Sequence, residues 1–237
     1  MQIATLSLYR FSRFATRAWV LGQMGAARLS LRGQAGLGTF KLCGTGTGEG
    51  FTPVPNFSVW GILATWDSTE AATRATKTAA PFSRWAAQST ECWTVILSAL
   101  SARGRWAGTE PFSPGDDPGG GPLAVLTRAT LRPSAIPRFW GAEPPISGAI
   151  GSNPDVLFKI GVGEVPWVQQ ATFSIWPDAA SMTRFAHADG PHARAIRQVR
   201  DGGWFREELY ARFRVVGTHG AWSDAPALFK SARPEAA

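Results

Sequence analysis

Apolar and polar residues alternate through Ile3 to Tyr9, while Phe57 to Thr65 and Trp93 to Leu100 are rich in β-branched and aromatic residues, so each stretch reads as a strand. Between the first two, Phe11 to Leu29 carries apolar residues at helical spacing and predicts a helix. A second helix follows Trp66, where Asp67 and then Glu70 have the spacing of a capping box, which satisfies the free amides of a first turn. Later in the chain Leu123 to Leu131, Leu157 to Val162, Trp167 to Trp176 and Leu209 to Val216 read as strands. Helices are expected near Ser134 to Ile150 and Asp178 to Arg200.

The two sets of elements resemble each other. Trp66-Asp67 and Trp176-Pro177-Asp178 each close a strand and open a helix, with Thr73-Arg74 against Thr183-Arg184, Pro81 against Pro191 and Arg84 against Arg194. Phe40-Lys41-Leu42 before Gly48-Glu49 matches Phe158-Lys159-Ile160 before Gly163-Glu164, and Arg17-Ala18-Trp19 parallels Arg138-Phe139-Trp140. The order is the same in both halves, as duplication predicts. Each copy then reads strand, helix, strand, strand, helix, strand, the ferredoxin-like βαββαβ arrangement. Its sheet carries helices on one face and leaves the other to be covered, and two copies can cover each other. The expected fold class is therefore α+β: two ferredoxin-like repeats forming a dimeric-α/β-barrel-like single chain. The repeats occupy residues 1–110 and 123–223. Residues 111–122, rich in Pro, Gly and Asp, read as a flexible linker, and 224–237 as a loose tail.

Composition adds a bias of charge. The net charge is +7, and Arg10, Arg13, Arg17, Arg28, Arg32 and Lys41 all precede the first acidic residue, Glu49. On one helix Arg10, Arg13 and Arg17 would form a stripe able to meet nucleic acid, anionic lipid or an acidic protein, or a merely solvated face. No apolar run reaches the ~18–20 residues of a membrane-spanning helix, and Met1 to Arg13 lacks a signal-peptide layout. The two cysteines, Cys43 and Cys92, fit neither a disulfide framework nor a zinc site. A cytoplasmic location is expected.

Candidate chemistry is sparse. The run Gly44-Thr45-Gly46-Thr47-Gly48-Glu49-Gly50 lacks the Lys-Ser/Thr of a P-loop and has Glu49 where a dinucleotide fingerprint needs glycine, so a tight turn or close approach to a ligand is the better account. Of the three histidines, His187 and His219 read as surface residues, His219 beyond the last strand. His192 differs, because on a helix it shares a face with Ala195, Ile196 and Val199, and its counterpart in the first copy is Phe82, beside Trp85 and Ala86. An aromatic core position has become imidazole in one copy only. A buried histidine needs partners for its ring nitrogens, and it has no companion ligands for zinc. A backbone carbonyl could satisfy it. It could also be the sole protein ligand of a haem, whose porphyrin supplies the other four nitrogens.

Several runs together resemble the spheroidene monooxygenase family of acyclic carotenoid 2-ketolases, over nearly the whole chain. They are Trp19 to Met24, Gly46 to Pro53, Lys159 to Pro166, Thr172 to Asp178 and Trp204 to Phe213. The resemblance implies a haem b enzyme that takes electrons from reduced ferredoxin and inserts oxygen from O2 at C2 of spheroidene, giving spheroidenone through a hydroxylated intermediate. On that reading His192 is the proximal iron ligand, Arg128, Arg138 and Arg200 are candidates to pair haem propionates, and Gln169, Gln170 and Thr172 are candidates on the distal side. Cys43 as a thiolate ligand is the competing assignment. The basic N-terminal region then has two explanations, docking of an acidic ferredoxin or peripheral attachment to the photosynthetic membrane. A non-catalytic haem or apolar-ligand carrier is the alternative on the same scaffold. A nucleic-acid-binding module is disfavoured, because most aromatics follow core periodicities.

Overall fold

In the computed structural model, residues 1–48, 52–141, 153–187, 202–226 and 228–229 are described. The elements run β1 (Ile3–Arg10), α1 (Phe14–Arg32), β2 (Leu37–Gly46), β3 (Pro55–Trp66), α2 (Thr69–Thr78), α3 (Phe82–Gln88), β4 (Glu91–Gly104) and β5 (Leu123–Leu131). A 3-10 turn at Pro133–Ala135 leads into α4, helical over 136–141, followed by β6 (Phe158–Gly163), β7 (Gln169–Trp176), α5 (Ala179–His187) and β8 (Phe205–Ala221). The strands close into one barrel in the order β1-β3-β2-β6-β7-β5-β8-β4. Every neighbouring pair is antiparallel.

The first four strands make one half in the order β4-β1-β3-β2, and the last four make the other in the order β8-β5-β7-β6. Two seams join them. One is long, with β4 paired to β8 from Cys92↔Ala221 to Gly104↔Leu209; the other, between β2 and β6, comprises Gly44↔Gly163 and Thr45↔Val162.

Successive residues of a strand face opposite sides of its sheet, so each strand contributes to two layers. Inside the barrel, Leu6, Leu8, Val95, Leu97, Leu126, Phe173, Phe213 and Val215 are almost wholly buried in a core built from all eight strands. Trp93 meets Phe158 and Phe112 meets Phe213 edge-on, each pair with ring centroids 4.9 Å apart. Outside the first half, Tyr9, Leu42, Trp60, Ile62, Trp66 and Ile96 pack against Val20, Ala27 and Leu31 of α1, Ala72 and Ala75 of α2, and Phe82 and Trp85 of α3. Phe82 lies 5.8 Å from Trp66 between ring centroids, and both are fully buried.

Some local expectations change. The cap of α2 is Ser68, whose hydroxyl accepts from the amide of Ala71, and not Asp67. The arginine stripe does not form, because β1 continues through Arg10 and α1 starts only after its N-cap, Arg13. Arg10 instead pairs with Glu91 at 3.2 Å and Asp224 at 3.0 Å and stacks over Trp222, while Arg17 donates from Nε to the carbonyl of Phe11. His219 lies within β8, which extends well past Val216. The connection 111–122 is anchored at several points: Phe112 enters the barrel core, the Gly115 amide donates to Ala99, and Asp117 receives two bonds from Arg214. These bonds, with the Gly119 amide, hold the Asp117 carboxyl at about 2. In the tail, Asp224 is tied to Arg10.

The interior position of Phe82 makes truncation costly, and Phe82→Ala should destabilise the fold by about 3–5 kcal/mol in urea unfolding. Ser68→Ala, which removes one cap bond at the start of α2, should cost about 1 kcal/mol in the same measurement.

Candidate functional site

Two regions concentrate polar chemistry. One lies inside the barrel, at the end where β5 and β4 finish and β7 and β8 begin. Arg128 has the inward parity of Ala124 and Leu126, and its side chain is only 1% exposed. Its Nη1 donates to Oε1 of Glu207, which enters from β8. Glu207 is held on its other side by a turn: the amides of Ala107 and Gly108 donate to its two carboxylate oxygens at 2.8 and 2.7 Å. Gly104, at φ +102°, brings that turn in. A Cβ there would stand 2.1 Å from the carbonyl oxygen of Glu208, so only glycine allows β4 and β8 to approach this closely.

Beside this pair stands a second one. Lys41 Nζ lies 3.7 Å from Glu164, and the indole of Trp106 donates to the same carboxylate oxygen at 2.7 Å. Trp106 is the shared wall, with Lys41 at 5.5 Å and Arg128 at 5.4 Å from its ring centroid. Each cation thus has a counter-charge and a π-face, a condition under which burial of ions is tolerated. Among the described residues, Nε and Nη2 of Arg128 and Oε1 of Gln169 are buried without a hydrogen-bond partner. Burial alone would raise the Glu207 carboxyl, but the two turn amides and the Arg128 guanidinium overcome this and hold it below its ordinary value of 4.5.

The second region is the outer face of the second half. Where the first half presents Tyr9, Trp60, Ile62 and Trp66, this face presents Thr127, Ala129, Gly161, Gln170, Thr172 and Ser174 from β5, β6 and β7, and only toward α5 do Leu123, Val125 and Trp176 pack with Met182 and Phe185. Its β6 edge is tied together by Trp167. The Trp167 indole donates to the Pro53 carbonyl at 2.8 Å, and its carbonyl accepts from the Trp140 indole of α4 at 3.0 Å. Three runs distant in sequence meet there. The glycine-rich run itself contributes Thr45, Gly46 and Gly48 to a cavity of about 310 Å3 at the end of the barrel near Arg10 and Trp222.

The candidate residues are sorted by these two layers. Gln169 faces inward with Ala171 and Phe173, whereas Gln170 and Thr172 face outward and are half-buried. Arg128 faces inward, on the opposite side of the sheet from Thr127 and Ala129. Arg138 is exposed on α4. His192 and Arg200 lie outside the described residues. His187 closes α5. His219 is half-buried, with Nε2 2.9 Å from the hydroxyl of Thr76. That hydroxyl donates to the carbonyl of Ala72, so it accepts from an Nε2–H imidazole. Burial, and then the charge of Lys77, keep His219 below its ordinary 6.5, and it is neutral at pH 7. Cys43 is wholly buried in the barrel core, where burial and then Glu164 push its thiol far up, and a thiol so placed is a poor source of thiolate.

Lys41, Trp106, Glu164 and Glu207 were not among the residues expected at a site. Glu164 and Glu207 carried a signal, since both fall within runs singled out by resemblance. Arg128 also stood out as the charged member of an otherwise apolar or hydroxyl-bearing strand.

No family model matches the chain. Among curated proteins, it is 52% identical over 224 residues to the spheroidene monooxygenase of Cereibacter sphaeroides, covering 94% of this chain and 69% of that protein. It is 45% identical over 225 residues to the spheroidene monooxygenase of Rhodobacter capsulatus, covering 94% and 93%. Among solved structures, an aldoxime dehydratase superposes with a TM-score of 0.60 over 90% of this chain and 81% of that one, at 12% identity, a likeness of fold.

Removing the Glu207 charge leaves the 1% exposed Arg128 uncompensated, so Glu207→Gln should destabilise the fold by about 3–5 kcal/mol in denaturant unfolding. Because the folded-state value of Glu207 is depressed, its stabilisation is complete above 4.5 and is lost as pH falls through the folded value. Stability measured against pH should therefore fall less steeply on the acid side in Glu207→Gln than in the wild type.

Proposed function

The chain belongs to the spheroidene monooxygenase family, and we propose that it is a haem-dependent member that oxidises C2 of an acyclic carotenoid, spheroidene to spheroidenone, with O2 and electrons from reduced ferredoxin. The observation that carries this reading is the contrast between the two outer faces. On the first half, large side chains and the buried Phe82 fill the space between sheet and helices. On the second, Leu123, Val125 and Trp176 pack with Met182 and Phe185 at the α5 end, while Thr127, Ala129, Gly161, Gln170 and Thr172 farther along the strands are small or polar, and a flat cofactor would lie over that part.

We read the barrel as two ferredoxin-like repeats, because the two halves have the same spatial order of strands. In that reading His192 is the counterpart of Phe82 in sequence, and it would hold the iron. Thr127, Ala129, Gln170 and Thr172, on the outer face of the second half, would line the site. Gln170 and Thr172 would be suited to donate hydrogen bonds in such a site, while Gln169 is separated from them by the sheet. Arg138, exposed on α4, and Arg200 are suited to meet propionates. Arg128 is not, since its charge is met by Glu207 inside the barrel.

Haem, when bound, supplies the activation of O2 that hydroxylates a carbon–hydrogen bond. C2 lies next to a double bond, so its C–H bond is allylic and weakened. Each round places one oxygen atom on carbon and reduces the other to water with an electron pair from ferredoxin and two protons. A second round at the same carbon gives a geminal diol, which loses water to the ketone. The chain's contribution is a dry, shaped face that presents the substrate carbon and excludes solvent.

The purified protein, reconstituted with haem, should show a Soret band and convert spheroidene when supplied with ferredoxin and reductant. In His192→Ala the band should be lost or displaced. Protein that takes up no haem would sink the proposal, and an unchanged band in His192→Ala would remove His192 as ligand. Haem uptake without turnover would assign the chain to a carrier role. Gln170→Ala and Thr172→Ala should each retain the Soret band and lower kcat, by about a hundredfold for a group that positions a proton.

A further inference from the structure

Helix α1 is built inside out on its solvent side. Its core face consists of Val20, Ala27 and Leu31, which pack on the first half of the barrel. The opposite face should be polar in a surface helix. Here it carries Phe14, Ala18, Leu21, Gly25 and Leu29, in that order along one stripe, and all five are exposed. Phe14 is 86% exposed, Leu21 47% and Leu29 73%. Scattered exposed leucines are ordinary, but an apolar stripe running the length of a helix of roughly 28 Å is not.

The charges around the stripe identify its occupant. Arg13 precedes it, Arg28 and Arg32 stand at its far end, and α1 contains no acidic residue. All three arginines are exposed. An apolar face bordered only by cations is the pattern of a helix that lies in the headgroup layer of an anionic bilayer. A second copy of the chain fits worse, because two such helices packed on this face would bring arginines against arginines without a counter-charge. Among the described residues no helix is long and apolar enough to cross a membrane, so the contact is with the surface.

We infer that α1 is a membrane-docking surface which lies flat on anionic lipid, with Phe14, Leu21 and Leu29 inserted among the acyl chains and Arg13, Arg28 and Arg32 against the phosphates. The core face of the helix packs on the first half of the barrel, so the stripe points away from it. This surface is read from α1 alone and does not rest on the cofactor or substrate proposed above.

The test is co-sedimentation of the full chain with vesicles of phosphatidylcholine alone and of phosphatidylcholine with phosphatidylglycerol. The wild type should pellet with the anionic vesicles, and less so as salt is raised. Phe14→Ser with Leu29→Ser, and separately Arg28→Gln with Arg32→Gln, should each weaken binding by at least about tenfold, while thermal unfolding stays unchanged because these side chains are exposed. Wild-type protein that stays in the supernatant, or variants that bind as well as the wild type, would overturn the inference. So would gel filtration showing a dimer that the serine substitutions dissociate, since that would give the face to a second copy.

Discussion

Each four-stranded half of this chain has an inner face of apolar side chains with no helix to cover it, and the burial of one inner face against the other is the constraint from which the remaining structure follows. Leu6, Leu8, Val95 and Leu97 from the first half share one buried core with Leu126, Phe173, Phe213 and Val215 from the second. At about 25 cal/mol per Å2 of apolar surface removed from water, neither sheet could leave such a face exposed. Closure into a barrel also pairs every strand with a neighbour on each side, though β2 and β6 meet over two residue pairs only. Helices are thereby confined to the outside, and the chemistry of the molecule is divided between a packed interior and two outer faces.

That division explains the placement of charge. A barrel interior filled with aromatic side chains tolerates ions only near its ends and only when they are matched, and Arg128 with Glu207 and Lys41 with Glu164 meet both conditions. Trp106 separates the pairs and offers each cation a π-face. The carboxylate of Glu207 is the pivot of the group, since it binds a guanidinium from β5 and two amides from the turn after β4. It therefore links strands that meet only through β8. On the outer face of the second half the small and polar positions Thr127, Ala129, Gly161, Gln170 and Thr172 lie beside the cluster of Leu123, Trp176 and Met182, and the proposed oxygenase chemistry is assigned there.

Much of the architecture was legible in the chain. The span Leu123–Leu131 was read residue for residue, because apolar residues bounded by Pro122 and Pro133 leave little choice of register. The α+β class and a barrel-like closure of the strands were both expected from the chain. What could not be read was sidedness. Gln169 and Gln170 are adjacent and chemically identical, and only the register Thr130↔Gln169 and Ala129↔Gln170 separates the interior residue from the outer one. Arg128 and Glu207 are far apart in sequence, and their meeting depends on β5 lying beside β8. The arginine stripe failed for a similar reason: its helical spacing was genuine, but Arg10 ends a strand. The cap of α2 shifted by one residue because Ser68, not Asp67, takes the extended conformation from which a side chain reaches the Ala71 amide.

The unequal seams have a consequence for motion. Along β4 and β8 the halves are joined from Cys92 to Gly104, whereas β2 and β6 are joined only at Gly44–Thr45 and Val162–Gly163. Opening the long seam means breaking a ladder of a dozen residue pairs; opening the short one means parting two ladder pairs together with the Lys41–Glu164 ion pair and the Trp167–Pro53 bond. Partial unfolding follows the lowest free energy, so the β2–β6 line is where a local opening would begin, and the β4–β8 ladder would keep the two halves in register while it lasted.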